Sequence, residues 1–251
     1  MKRKKTAYES REWKASDGAY GKADSVSPFA CFSIVLIVGI LIFGVVKVAP
    51  KIMAWGGGHD YRNNQYYSSY VSVFHDAVRM QECDVCFVGD SLTARGLWSE
   101  FFPDLQVANR GIGSDTSEGV LNRLDTVVEL DPDCVLLMIG VNDLGHAFSA
   151  DEISTNVEAI VDQLHSKLPD SKIVLQGVLP AEGLSETDIL NLNKLYADLA
   201  AKRDFVAYID LHDRFLGSNG DRNSSLYASD GVHLMGSGYQ IWVDAIEPYL
   251  S

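Results

Sequence analysis

One serine sits where a chain would display a nucleophile. In Phe87-Val88-Gly89-Asp90-Ser91-Leu92-Thr93 an apolar run, Val85 to Val88, reads as a short buried strand, and the chain then turns on Gly89 and Asp90 to present Ser91. A hydroxyl attacks an ester carbonyl only with a general base and hydrogen-bond donors beside it. Of six histidines, His233 is the base the spacing favours. Asp230 lies three residues earlier, where its carboxylate can accept from one imidazole nitrogen and leave the other facing the serine. His212, in Asp210-Leu211-His212-Asp213, is the rival, since acids flank it too. An oxyanion needs donors placed beforehand; the Asn142 amide, in Gly140-Val141-Asn142-Asp143, and the Ser91 backbone N–H are the candidates.

Three stretches recur with FVGDSLT in a fixed order: Asn109-Arg110-Gly111-Ile112-Gly113-Ser114-Asp115-Thr116, Ile139-Gly140-Val141-Asn142-Asp143-Leu144-Gly145 and Asp230-Gly231-Val232-His233. Together they resemble the four sequence blocks of the SGNH (GDSL) hydrolase family, and within it the platelet-activating-factor acetylhydrolase-like esterases. The resemblance runs from about Asp84 to the C-terminus. It implies a flavodoxin-like three-layer α/β sandwich on a five-stranded parallel sheet, and ester hydrolysis through an acyl-enzyme. It also implies Ser91, Asp230 and His233 as the catalytic residues; no cofactor is expected, since the sequence holds no metal-ligand motif. Where the family pattern gives a glycine N–H to the oxyanion, this chain has Ser114, which makes Ser114 the expected third donor. Gly113 is the alternative, and the residue expected to absorb unusual torsions. Pocket walls are expected around Leu92, Gly113, Leu144 and Leu179.

The elements that must position these residues alternate along the chain. A short helix over 71–80 is followed by strands at 85–88, 106–109, 134–139, 172–178 and 206–209. Helices are expected over 93–101, 117–130, 149–168, 186–203 and 236–250, with Ser149 as a possible N-cap. CVLLMI at 134–139 is apolar throughout, as a strand buried on both faces would be. Such alternation argues for a parallel sheet covered on both faces, with ligands bound beyond the carboxyl ends of its strands. Bland readings attach to several neighbours: Asp90 and Asp143 bonding backbone amides, Arg110 pairing with a carboxylate under the site, Trp98 and Trp242 in the core.

Composition narrows the rest. The chain has 251 residues, 47% hydrophobic and 22% charged, with a formal charge of −13. Residues 1–28 hold seven Lys/Arg against four Asp/Glu, so the remainder is strongly acidic and ill suited to nucleic acid. Four cysteines make no disulfide framework; Cys86 and Cys134 read as buried thiols, and no metal-ligand pattern appears. Residues 1–28 read as a disordered cytoplasmic tail, 29–46 as a transmembrane signal anchor just long enough to span, and 47–69 as a stalk. Residues 70–251 are the hydrolase domain, facing outward. The expected function is a membrane-anchored extracytoplasmic serine esterase, of bacterial type, removing short acyl groups, first of all acetyl, from glycans or lipids. Alternatives are an O-acyltransferase, a lysophospholipase, or a binding module on a silent scaffold.

Overall fold

The computed structural model describes residues 60–77 and 83–250, all within the compact unit Ala49–Ser251. The tail and the membrane anchor expected over 1–46 lie outside the described residues. Among the described residues no helix is long and apolar enough to cross a membrane.

Five short segments, separated by stretches with helical periodicity, become parallel strands: β1 Val85–Gly89, β2 Val107–Gly111, β3 Cys134–Met138, β4 Lys172–Gln176 and β5 Val206–Ile209. Their order is β2-β1-β3-β4-β5, with Val85 opposite both Val107 and Cys134. The chain thus starts near the middle and reverses direction between β1 and β3, opening the crevice in which such sheets bind ligands. β1 and β3 are buried along their whole length, which is why neither shows polar alternation.

The helices cover both faces. In chain order they are α1 Tyr67–Ser72, which runs on as a π-helical turn at Val73–Ala77, α2 Ser91–Ala94, α3 Trp98–Phe101, α4 Ser117–Asn122, α5 Asp125–Val128, α6 Val141–Gly145, α7 Ala150–Lys167, α8 Glu186–Ala200 and α9 Gly236–Ile246. Val88, Leu137 and Leu175 point to the face covered by α4, α5, α7 and α8, through Val120, Val157, Leu164 and Leu192. Phe87, Leu136 and Val174 point to the other, packing with Trp98, Phe215 and Trp242. Phe87 and Trp98 stack with centroids 4.1 Å apart, and both expected core tryptophans are fully buried. Ser149 caps α7 in a reciprocal box with Glu152.

Four expected elements differ. The short helix expected over 71–80 begins earlier, at Tyr67, and becomes π-helical at Val73–Ala77, while residues 78–80 lie outside the described residues. The single helix over 117–130 is broken at Arg123, whose backbone leaves the helix (φ −121°, ψ 23°). Its guanidinium turns inward to Asp115 Oδ2 at 2.8 Å and the Gly89 carbonyl at 3.1 Å. The helix expected over 93–101 divides into α2 and α3, with Gly96 packed so closely on the Trp98 indole that no Cβ fits there. The last helix ends at Ile246 and gives way to a 3₁₀ turn at Glu247–Tyr249, because Pro248 has no N–H to donate to the ladder.

The stalk expected over 47–69 is folded onto the domain from residue 60 onward. Tyr67 is buried and donates its hydroxyl to Gly119 O at 2.9 Å, and Asn64 Nδ2 donates to Gly113 O at 2.7 Å. Hydrophilic composition concealed these contacts, because the segment is held by side-chain hydrogen bonds to backbone carbonyls rather than by an apolar stripe.

Candidate active site

Ser91 stands at the carboxyl end of β1 as the first residue of α2. Asp90 caps that helix, accepting from Leu92 N at 2.9 Å, and Tyr239 in α9 donates its hydroxyl to Leu92 O at 2.7 Å. The nucleophile turn is therefore held from both sides. His233 comes from the loop before α9. Gly231 makes the turn with φ +69°, a conformation that glycine adopts freely; a side chain there would also strike Glu182. Asp230 Oδ1 accepts from the N–H groups of Val232 and His233, both at 2.9 Å, and Ala228 N donates to His233 O at 2.7 Å.

The three side chains form one relay. Ser91 Oγ is 2.9 Å from His233 Nε2, and His233 Nδ1 is 2.7 Å from Asp230 Oδ2. An ionised carboxylate only accepts, so Nδ1 carries the proton and Nε2 is free to accept from the serine. Burial alone would raise the Asp230 carboxyl, but hydrogen bonds from the His233 ring and the two backbone N–H groups outweigh it and hold it at about 2. His212, the rival base, is buried away from the cavity, with Nδ1 3.1 Å from Asp213 and Nε2 2.7 Å from Glu186 at an angle unsuited to a hydrogen bond.

The opposite side of the site rests on a dehydrated polar network. Asn142 follows Gly140, whose φ of +125° turns the chain out of β3. Its Nδ2 donates to Asp115 O at 2.8 Å, leaving its second N–H for another acceptor. Asp143 accepts from the Ser117 N–H at 3.0 Å and hydroxyl at 2.5 Å, while Asp90 and Asp115 are likewise buried. Burial pushes Asp90 up to about 7 and Asp143 up to about 6, against their hydrogen bonds. Asp90 thus bonds an amide of its own turn, as its position suggests, whereas Asp143 reaches outside its own turn, to the N–H and hydroxyl of Ser117, 26 residues earlier. Arg110 does not pair with a carboxylate: its Nε donates to Thr126 O at 3.1 Å and its guanidinium lies 4.5 Å over the Phe74 ring. Cys83, Cys86 and Cys134 are buried free thiols, and burial pushes Cys83 and Cys134 up to about 11.

Ser114 itself adopts the left-handed conformation, with φ +58°, whereas Gly113 has no positive φ. Gly113 therefore does not absorb the torsion as expected. The serine does, exposed beside the cavity, at a strain on the order of 1 kcal/mol for a residue with a Cβ.

A cavity of about 560 Å³ opens over Ser91, His233, Asp230, Asn142, Ser114 and Gly113. Of the expected wall residues only Gly113 lines it; Leu92 and Leu179 are buried in the core and Leu144 packs against it. The walls are instead Ala94, Arg95 and Val232, with Tyr66 and Tyr70 from the N-terminal segment. Ala94 and Arg95 lie three and four residues past Ser91 on a helical turn, so helical periodicity placed them on the serine's face. No local signal tied the two tyrosines to the site. Among the described residues no cluster of three or more His, Cys, Asp or Glu side chains is arranged to hold a metal ion.

The family model described as GDSL-like Lipase/Acylhydrolase matches residues 87–241. The alpha2 subunit of platelet-activating factor acetylhydrolase IB from Homo sapiens is 32% identical over 169 residues, covering 63% of this chain and 72% of the relative. A solved structure from Streptococcus pneumonia, described as a candidate platelet activating factor, superposes with TM-score 0.67 at 26% identity, covering 86% of this chain and 99% of its own. A GDSL-like lipase from Bacteroides thetaiotaomicron superposes with TM-score 0.61 at 25% identity, covering 73% and 96%. The matched stretch runs from Phe87 within β1 through the other four strands, and takes in the Ser91 turn and the Asp230–His233 loop; on that ground the chain belongs to the GDSL-like lipase/acylhydrolase family and is a serine ester hydrolase.

Proposed function

We propose that the protein removes short acyl groups, acetyl first, from O-acylated glycans outside the cytoplasmic membrane, anchored there by residues 29–46. The observation that carries the catalytic reading is the unbroken relay Ser91–His233–Asp230, at 2.9 and 2.7 Å. Ser91 Oγ attacks the ester carbonyl while His233 Nε2 takes its proton. The oxyanion receives the backbone N–H groups of Ser91 and Ser114 and the second N–H of Asn142. Collapse of the tetrahedral adduct breaks the bond to the alcohol, which leaves with the proton from His233. A water, deprotonated by the same imidazole, then releases the acid and restores Ser91. Asp230 holds the tautomer throughout.

The short-acyl reading is supported by the walls. Ala94 and Val232 are the aliphatic side chains that line the cavity among the described residues, and Leu92 and Leu179, expected as pocket walls, are committed to the core. The glycan and membrane parts rest on the sequence, through the uncharged run Phe29 to Val46 with the basic residues before it. The test is turnover of p-nitrophenyl acetate, butyrate and octanoate by the full chain beside Ser91→Ala. Acetate is expected to exceed octanoate, with a loss of at least about 10⁴-fold in the variant. Octanoate preference would overturn the short-acyl reading, and turnover independent of Ser91 would overturn the mechanism.

A further inference from the structure

We infer that the alcohol part of the natural ester carries a negative charge, recognised by Arg95. The inference rests on the esterase reading above and narrows its substrate class to anionic O-acyl compounds, such as sugars bearing a carboxylate or phosphate. Arg95 is the C-cap residue of the four-residue helix that begins with Ser91, and its N–H bonds back to Ser91 O at 3.1 Å. One helical turn separates the two residues, about 6 Å of axial rise, so the guanidinium stands over the same cavity as the reacting hydroxyl. Ala94 beside it leaves the space open.

The charges around the site argue that this cation serves a ligand. In a chain of net charge −13, most of the described arginines are engaged: Arg62, Arg123, Arg203 and Arg222 in ion pairs, and Arg110 over an aromatic ring. Arg95 is exposed, and among the described residues no carboxylate forms an ion pair with it. The other formally charged group on the cavity wall, Asp230, is committed to His233 and two backbone N–H groups. Among the described residues of the cavity wall, Arg95 is therefore the uncommitted cation that an incoming anion meets.

The facing wall suits a ring-bearing alcohol. Tyr66 and Tyr70 are 47% and 44% exposed although both are large and aromatic. They sit on successive turns, joined by the Tyr70 N to Tyr66 O bond at 3.0 Å. Asn64 fixes that wall by accepting from Tyr66 N at 2.9 Å and donating to Gly113 O at 2.7 Å, beside the expected oxyanion donors. A planar guanidinium grips carboxylate or phosphate through paired hydrogen bonds, and the phenol rings supply an apolar face with a polar edge.

The experiment uses the full chain with three acetyl esters of phenols: phenyl acetate, 4-acetoxybenzoate, and the cationic 3-acetoxy-N,N,N-trimethylanilinium. For each, kcat/KM is measured in wild type, Arg95→Lys, Arg95→Gln and Arg95→Glu. Comparing each variant with wild type cancels the intrinsic reactivity of the leaving groups. The ratio of 4-acetoxybenzoate to phenyl acetate should fall about tenfold in Arg95→Gln, through KM, the size expected for one charge-assisted hydrogen bond. It should be largely kept in Arg95→Lys, and the preference should turn toward the cationic ester in Arg95→Glu. Rising salt should shrink the wild-type ratio. If phenyl acetate is turned over through Ser91 but the ratio is the same in all four proteins, the inference about Arg95 falls and the esterase reading stands. If phenyl acetate shows no Ser91-dependent turnover, both fall.

Discussion

The two sides of the cavity hold their acidic groups in opposite ways. Behind Ser91, Asp90, Asp115 and Asp143 are removed from water and gripped by Leu92 N, Arg123 and Ser117. Across the cavity, Asp230 is 42% exposed and held by a four-residue turn. Desolvation raises the buried carboxyls and hydrogen bonding lowers the exposed one, to about 7 for Asp90 against about 2 for Asp230. The buried set fixes the shape of the nucleophile turn and oxyanion loops at the expense of stability, whereas the exposed one keeps its charge where the imidazole needs it.

That division predicts separable effects. Asp230→Asn keeps an oxygen for the Val232 and His233 N–H groups, so the turn survives, but its amide no longer enforces the His233 tautomer. We expect kcat to fall by about 10⁴, with the thermal midpoint of unfolding shifted by no more than about 1 kcal/mol equivalent. A variant that instead unfolds near room temperature would erase the contrast, because Asp230 would then be a structural residue like those opposite.

What the sequence disclosed follows the same divide. The strands and the blocks around Ser91, Asn142 and His233 were legible because an apolar run ending in a turn is a local pattern, and Asp230 was legible because its partner is three residues away. Arg123 was not: its role depends on Asp115, eight residues earlier, and Gly89, thirty-four earlier, and it sits inside a stretch whose apolar spacing fits one continuous helix. Tyr66 and Tyr70 escaped for the same reason. Their place at the cavity is set by Asn64 reaching Gly113, forty-nine residues on, and nothing in a polar, tyrosine-rich segment signals such a contact. Leu92 and Leu179 looked like pocket residues from their positions at strand ends, yet both side chains turn into the core.

A second, smaller effect sharpens the comparison through pH. Asp90 binds its proton more tightly folded than unfolded, at about 7 against an ordinary 3.8. Below about pH 4 both states hold the proton and the group is neutral in the balance. As pH rises toward 7 the unfolded chain has already lost its proton, so stability declines and then levels off. Asp230 acts in the other sense, stabilising above its ordinary value and losing that contribution only as pH falls toward about 2. Between pH 5 and 8, therefore, only the buried side should respond. The fall in thermal midpoint across that range should be smaller in Asp90→Asn than in wild type, by about 1.4 kcal/mol for each tenfold of proton affinity removed, or about 2–4 °C per kcal/mol in a domain this size. Parallel curves for the two proteins would mean that Asp90 is solvated in the folded state.

The smallest expected effect lies at the seam between the two sides, at Ser114. Its backbone holds φ +58°, a strain on the order of 1 kcal/mol that glycine would not carry, while glycine adds a comparable entropy to the unfolded chain. Ser114→Gly should therefore leave stability within about 0.5 kcal/mol of wild type, measured by denaturant titration. If the backbone N–H is what meets the oxyanion, kcat/KM should also stay within about twofold, because both residues present the same donor. A tenfold fall with stability unchanged would assign the contact to the Ser114 hydroxyl instead, and the strained backbone would then serve to aim a side chain rather than an amide.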